Sequence, residues 1–365
     1  MESRQEILVG LSISLTGRFS AQGRQALDGL RLWQSYVNGR DGIAIGQDGP
    51  RRVRVVFYDD QSRVSLALEN ALRLLRQDHV DALFGPYSSG LTMTVAEVAH
   101  EHGRVLWNHG GCSDEICNRG WQHLVGIPTP ASEYLQDLPR CLERHAPALR
   151  KICIVHSGRG TFASHVARGV VQAATSEYSA QLISYSALDV DVLLQKLHAS
   201  QPEILVLAGS FEQEIQIMRA RRRWPASIRA VASVAAGVQP FHDELGRAAE
   251  GAIGPSQWEA HASFPAGIGP DALWFLRNFR KQFGREPEYI AAGSFAVGLI
   301  FGECVRRARS LQDNNLLAAA AELDCYTLYG RFRLDSTSRR QVGHRILLVQ
   351  WDKDHKVLLP AGNTE

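Results

Sequence analysis

Glycines 158 and 160 and Ala163 follow the apolar run Ile152 to Val155 and precede a helix-like segment. This is the G-x-G-x-x-A spacing with which a strand, a turn and a helix cradle a pyrophosphate. Glycine lets backbone approach phosphate oxygens closely, and the N–H groups at a helix start favour negative charge. A dinucleotide site also needs a carboxylate at the end of the next strand, to hold the ribose hydroxyls. That strand is Gln181 to Tyr185, and Ser186, Ala187 and Leu188 follow it. The nearest acid, Asp189, comes late and opens the next helix. The pattern therefore weighs against NAD and leaves a loop suited to an anionic or polar small ligand.

Two further loops carry polar groups at strand ends. Gly85-Pro86-Tyr87-Ser88-Ser89 closes one strand ahead of a helix. Serine hydroxyls beside unpaired helix N–H groups make a small site for a carboxylate, although plain N-capping by one serine is the alternative. Asn108 to Asp114 repeats the arrangement, with Gly110-Gly111 for close backbone approach and Ser113 or Asp114 as the cap; His109 is either a contact or a structural residue. Tyr87, Trp107, Phe162 and Trp258 offer a ring-stacking wall, with core packing as the alternative for the two tryptophans. No catalytic arrangement stands out: there is no G-x-S-x-G, H-E-x-x-H or P-loop, and the 13 histidines have no ligand spacing. The acidic pairs Asp59-Asp60 and Asp114-Glu115 fit the helix dipole without chemistry. The chain reads as a non-enzyme with no catalytic residue, no metal and no cofactor. The six cysteines lack C-x-x-C spacing; Cys153 and Cys304 read as core, and Cys112 with Cys117 leaves a small disulfide loop open.

The elements that must position these loops alternate. The first half reads strand (Ile7 to Ser14), helix (through Ala26, Leu30, Trp33 and Val37), strand (Val53 to Tyr58), helix, strand, helix, strand. A fresh series starts after Ile127 to Pro130. It runs through KICIV, QLISY, EILVLAG and IRAVAS, each followed by a helix or turn. Alternation of this kind implies parallel strands with crossover helices, whose carboxyl ends bind ligands. Two long helical segments (272–283 and 289–309) and a short one near Leu316 complete the first domain, and RFRL and RILLVQW return to the second. The expected architecture is α/β, with two doubly wound parallel-sheet lobes. One holds residues 1–127 plus 258–330, the other 128–257 plus 331–365.

At 365 residues, 45% hydrophobic and 21% charged, the chain has the composition of a globular protein large enough for two cores. A net charge of +2 gives no reason to expect nucleic acid, and Arg219 to Arg223 reads as a solvated helix end. No segment is read as reaching the ~20 apolar residues that cross a membrane. The chain runs straight from MESRQ into a strand with no signal peptide legible, which fits either the cytoplasm or a removed signal.

Taken in order, these motifs resemble the type I periplasmic solute-binding proteins of the leucine/isoleucine/valine-binding class. The opening ILVGLSISLTGRFSAQGRQALDGLRLWQSYVNGRDGI with its N-x-x-G-G-I-like turn, VRVVFYDDQS, DALFGPYSSGLT, KICIVHSGRGTFASHVARGV and GRFRLDSTSRRQVGHRILLVQW carry the resemblance, across almost the whole chain. It implies two lobes joined by a three-crossing hinge, closing on a ligand in the cleft between them. It also implies two partners, a small-molecule ligand and the membrane permease of an ABC transporter, with a monomeric protein working in the periplasm and neither nucleic acid nor direct membrane insertion. By position, Ser88, Ser89, Gly110, Cys112 and Ser113 would be the first-lobe contacts, with Tyr87 next to them as a candidate ring. Phe162, and Ser210 or Phe211, would come from the second lobe, and Trp258, at the start of the first lobe's return segment, is a candidate only as part of the ring-stacking wall. One departure matters. Amino-acid-binding members carry an acid after the strand corresponding to IRAVAS, where this chain has Val234-Ala235-Ala236-Gly237. A buried ammonium without a carboxylate is costly, so amides and small aliphatic or aromatic acids join amino acids as expected ligands. A cytoplasmic ligand sensor of the same fold, restraining a regulatory partner, is the alternative.

Overall fold

The computed structural model describes residues 6–174, 178–265 and 267–360. The chain divides into two compact units, Met1–Thr129 with Trp258–Arg345, and Pro130–Gln257 with Ile346–Glu365. In chain order the first unit begins with β1 (Glu6–Ile13), α1 (Ser20–Asn38), β2 (Ile43–Ala44), β3 (Pro50–Asp59), α2 (Val64–Arg76), β4 (Ala82–Phe84), α3 (Ser89–Glu101), β5 (Leu106–Asn108), α4 (Asp114–Asn118) and β6 (Leu124–Gly126). The second unit follows with α5 (Leu138–His145), β7 (Lys151–Ser157), α6 (Phe162–Ala173), β8 (Ser179–Tyr185), α7 (Val190–Ser200), β9 (Ile204–Ala208), α8 (Phe211–Arg219), β10 (Ala230–Ser233), α9 (Gln239–Leu245) and β11 (Ile253–Ser256). The chain then returns to the first unit for α10 (Ala272–Phe283), α11 (Tyr289–Ala308), α12 (Asp313–Ala321), β12 (Asp324–Thr327) and β13 (Gly330–Arg333). It ends in the second with β14 (Leu347–Asp352) and β15 (His355–Leu358).

The first sheet runs β2-β3-β1-β4-β5-β6, parallel except for the β2 edge. Strand β1 is buried from Ile7 to Ile13 because both its faces are covered. Ile7, Val9, Leu11 and Ile13 face the core shared with α1, α10 and α11, while Leu8 faces the core under α2 and α3. The second sheet runs β15-β14-β11-β10-β9-β7-β8, parallel from β11 to β8, with β14 and β15 antiparallel at the edge. In both units the parallel strands send their carboxyl ends to the candidate loops.

Two expectations change. Helix α11 is long and apolar enough to cross a membrane by length and composition. It is instead the central core helix of the first unit, buried along most of its length against α1. The glycines explain how close the two helices come: a Cβ at Gly29 would lie 2.1 Å from the Ala291 carbonyl oxygen, and one at Gly298 2.3 Å from the Trp33 ring. Second, residues 331–345 belong to the first unit, not the second. Strand β13 pairs antiparallel with β12, and Gln341 donates to the Ile127 carbonyl while accepting from Arg333 N–H. His344 stacks on Tyr329 and hydrogen-bonds Thr129. Only from Leu347 does the chain pair with β11.

Candidate functional site

In the first unit the turns after β1, β4 and β5 are tied together by side chains. Asp60 is fully buried and accepts from Ser14 Oγ at 2.5 Å, Ser12 Oγ at 3.2 Å and Ser62 N–H at 2.9 Å. Burial pushes its carboxyl up despite those donors. Asp59 accepts from Thr16 Oγ1 and from the N–H groups of Leu15, Thr16 and Gln61. Its partial burial opposes ionisation, but the Thr16 hydroxyl and the backbone donors outweigh it and hold this carboxyl down. The pair thus fastens the β1–α1 turn; the helix-dipole reading of these two acids is replaced by turn fastening.

Ser88 and Ser89 take different parts. Ser88 is the N-cap of α3, accepting from Leu91 N–H at 3.4 Å, with φ 84 and ψ 145. That backbone region is normally reserved for glycine and costs of order 1–3 kcal/mol. Ser89 Oγ accepts from Ser113 N–H at 3.0 Å and Cys112 N–H at 3.3 Å. Both lone-pair positions are therefore directed at the loop after β5, while no acceptor among the described residues takes the hydroxyl proton. Asn108 completes that loop, accepting from Gly110 and Gly111 N–H and donating to the Gly111 carbonyl. A Cβ at Gly110 would sit 2.8 Å from the Pro86 oxygen and one at Gly111 2.5 Å from Thr92, so the two loops touch backbone to backbone. Tyr87 packs edge-on against Phe19 at 5.8 Å, and burial pushes its phenol up to about 12. The structure therefore brings Tyr87, Ser88, Ser89, Gly110, Cys112 and Ser113 together. Asp114 pairs with Arg340 at 3.0 Å and anchors the start of α4. No disulfide joins Cys112 to Cys117, and burial raises the Cys117 thiol to about 11.

Trp258 does not join this set. It is 3% exposed in the first unit's core, donating to the Leu328 carbonyl at 2.9 Å and packing edge-on against Phe275. Its role is structural, and it leaves the candidate contacts. Trp107 is likewise core, against Phe301. His109 is 4% exposed, and neither ring nitrogen has a hydrogen-bonding partner among the described residues. Burial pushes its imidazole down to about 4, so it is neutral at ordinary pH.

In the second unit Phe162 opens α6 and meets Tyr134 edge-on at 5.2 Å, while Gln257 donates to the Tyr134 hydroxyl. Ser210 caps α8 in a reciprocal box with Gln213, and its hydroxyl donates to Glu212. Phe211 is half-buried against the core of this unit. Asp189, the acid nearest to a ribose position, caps α7 by accepting from Asp191 and Val192 N–H. Sequence reasoning missed one group, Glu214, which is 1% exposed beneath Val234 to Gly237. The region read as lacking a carboxylate therefore has one, although backbone donors occupy it. Its signal was legible: Glu214 shares a helical stripe with the buried Ile217 and Met218 at i+3 and i+4. Among the described residues no group of three or more His, Cys, Asp or Glu side chains is arranged to hold a metal.

Two units of this topology, each with its candidate loops at the strand carboxyl ends, define a type I periplasmic binding protein. The periplasmic binding protein family model matches residues 6–356, and the chain belongs to that family of solute-binding receptors. Among curated relatives, the Leu/Ile/Val-binding protein homolog 7 of Brucella melitensis is 23% identical over 299 residues, covering 77% of this chain and 72% of the relative. Among solved structures, the branched-chain amino acid transporter substrate-binding protein LivJ of Streptococcus pneumoniae, in complex with isoleucine, superposes with a TM-score of 0.81. It is 19% identical and the match covers 96% of this chain and 97% of that one. A solute-binding protein of an ABC transporter from R. palustris, in complex with benzoate, gives 0.78 at 17% identity, over 97% and 95% of the two chains.

Proposed function

We propose that the protein is the extracytoplasmic receptor of an ABC uptake transporter, and that it delivers to the membrane permease a small organic ligand with an anionic or strongly accepting end. The observation that carries this reading is the Ser89 hydroxyl. Two N–H groups fix its oxygen, which leaves its proton to donate to a ligand. Ser88, the Gly110-Gly111 turn and Cys112 surround it, and Tyr87 supplies an apolar wall with a polar tip. In the second unit, Phe162 opens α6 and Phe211 opens α8 at the strand carboxyl ends, and rings at those places favour a ligand with an apolar or aromatic body. The Glu214 carboxyl, the acid beneath Val234 to Gly237, is engaged by protein donors and so is not set aside for an α-ammonium. The isoleucine and benzoate complexes of structural neighbours bracket the ligand class.

A thermal-shift screen over L-leucine, L-valine, their amides, 4-methylpentanoate and benzoate tests this, since a ligand that binds only the folded state raises Tm by mass action. Calorimetry then compares L-leucine with 4-methylpentanoate, the matching acid without its amino group. The expected result is that the acid or an aromatic acid binds without needing the ammonium. Tight binding of leucine, with the acid far weaker, would overturn the proposed ligand chemistry.

A further inference from the structure

Glu214 is a buried acid that pairs with no cation among the described residues. Such a group persists only where hydrogen bonds replace its water. Here the donors come from two separate turns. Gly209 N–H, in the β9–α8 turn, donates to Oε1 at 2.6 Å. From the end of β10 and the turn that follows it, Ser233 Oγ donates to Oε2 at 2.5 Å and Ala235 N–H at 2.9 Å, and Val234 N–H donates as well. The first of these turns leads directly into Ser210 and Phe211, and the second is the Val234–Gly237 segment where an acid was expected. We propose that Glu214 is the positioning residue of the second unit's ligand loops: its carboxylate clasps the β9–α8 turn to the turn after β10 and holds both in one arrangement. This role rests on the receptor reading above.

The chemistry of the side chain makes the claim specific. A carboxylate offers acceptors on both oxygens, so Oε1 serves one turn while Oε2 serves the other. Glutamine keeps the shape but has one acceptor oxygen, and its NH2 must face the N–H of Gly209 or the donors at Ser233 to Ala235. One turn is then released. The groups around the carboxyl leave it the centre of the contact. Tyr185 of β8 faces it, hydrogen-bonds Gln213, and has its phenol pushed up by burial and by Glu214. The turn after β10 carries no ionisable side chain. On α9 and the short helices, His242 stacks on Trp351, Asp243 accepts from Gln239, Glu244 pairs with Arg219, Arg221 donates to the Ala248 and Glu250 carbonyls, and Arg223 pairs with Asp191. Arg222 and Arg247 are exposed. Burial raises the Glu214 carboxyl to about 7, so ionisation in the working range switches the number of acceptors available to the two turns.

Hydrogen exchange on the ligand-free full chain tests the clasp, comparing wild type with Glu214→Gln and Glu214→Asp. In the glutamine variant, exchange at one of the two turns, residues 209–211 or residues 233–237, should rise by roughly ten- to hundredfold, the loss expected for charge-assisted hydrogen bonds, while the other turn and the interiors of β9 and β10 stay protected. No change at either turn, or a change spread evenly through both strands, would overturn the proposal. The aspartate variant keeps both oxygens but is one methylene short, so it should release only one turn; it also serves if the glutamine variant does not fold. Calorimetry with benzoate and with L-leucine as probes adds the functional arm. Whichever probe wild type binds should bind roughly tenfold more weakly to the glutamine variant. Wild-type affinity should rise between about pH 6 and about pH 8 as Glu214 ionises, and the variant's should not. Equal affinity and equal pH profiles would overturn the positioning role. If wild type binds neither probe, the ligand class is wrong, and the exchange result still decides the clasp.

Discussion

Ser89 and Ser88 show how two neighbouring residues of one type divide the work. Ser89 accepts two backbone N–H groups and keeps its proton for a partner. Ser89→Ala should weaken binding of an ionised ligand by about 1.5–3 kcal/mol, measured by calorimetry, because it removes a hydrogen bond to a charged group. Ser88 holds φ 84 in a region that suits glycine. Ser88→Gly should raise unfolding stability by about 1 kcal/mol in denaturant titration, as relief of strain exceeds the lost cap and the added chain entropy. Backbone strain of this kind is concentrated where a turn must present groups to a ligand. The serine pair was legible in the sequence because polar residues after an apolar strand mark a helix start. The division of roles was not, because it depends on which hydroxyl lies beside Cys112 and Ser113, more than twenty positions further along.

At the scale of elements, the long periodic segments were legible and the short ones were not. The segments 272–283 and 289–309 correspond to α10 and α11, and the four strand runs after Pro130 correspond to β7 to β10. Strands β6 and β11, of three and four residues, carry too few side chains to show a period. RFRL was expected in the second unit but forms β13 beside β12; alternation tells that a segment is a strand and not which partner it takes. The packing of α1 on α11 rests on Gly29 and Gly298. Gly298→Ala should cost about 1–3 kcal/mol in thermal or denaturant unfolding, since the new methyl would press into the fixed Trp33 ring. A gain in stability would show that the ring can move aside.

For the whole molecule, two buried groups pull stability in opposite directions with pH. Glu214 has a folded pKa near 7 against 4.5 for the free group. Its contribution is fully present below about pH 4.5 and is lost as pH rises through about 7, on the order of 3 kcal/mol. His109 has a folded pKa near 4 against 6.5, so its contribution is present above about pH 6.5 and lost as pH falls through about 4. Unfolding titrations of wild type and Glu214→Gln across this range should show the variant gaining on wild type as pH rises. A constant difference between the two would mean that Glu214 does not titrate in the folded protein.

Composition, alternation and loop residues were enough to determine the α/β class, two units in one chain, the family and the first unit's candidate loops, because these depend on local periodicity and on turn chemistry carried by adjacent residues. Tertiary structure alone decided that Trp258 is core, that residues 331–345 remain with the first unit, and that a buried carboxyl lies beneath Val234 to Gly237. Each of these turns on which distant segments meet. An indole finding the Leu328 carbonyl, a strand finding β12, and a glutamate finding donors on two turns are contacts between residues whose separation along the chain carries no local signal.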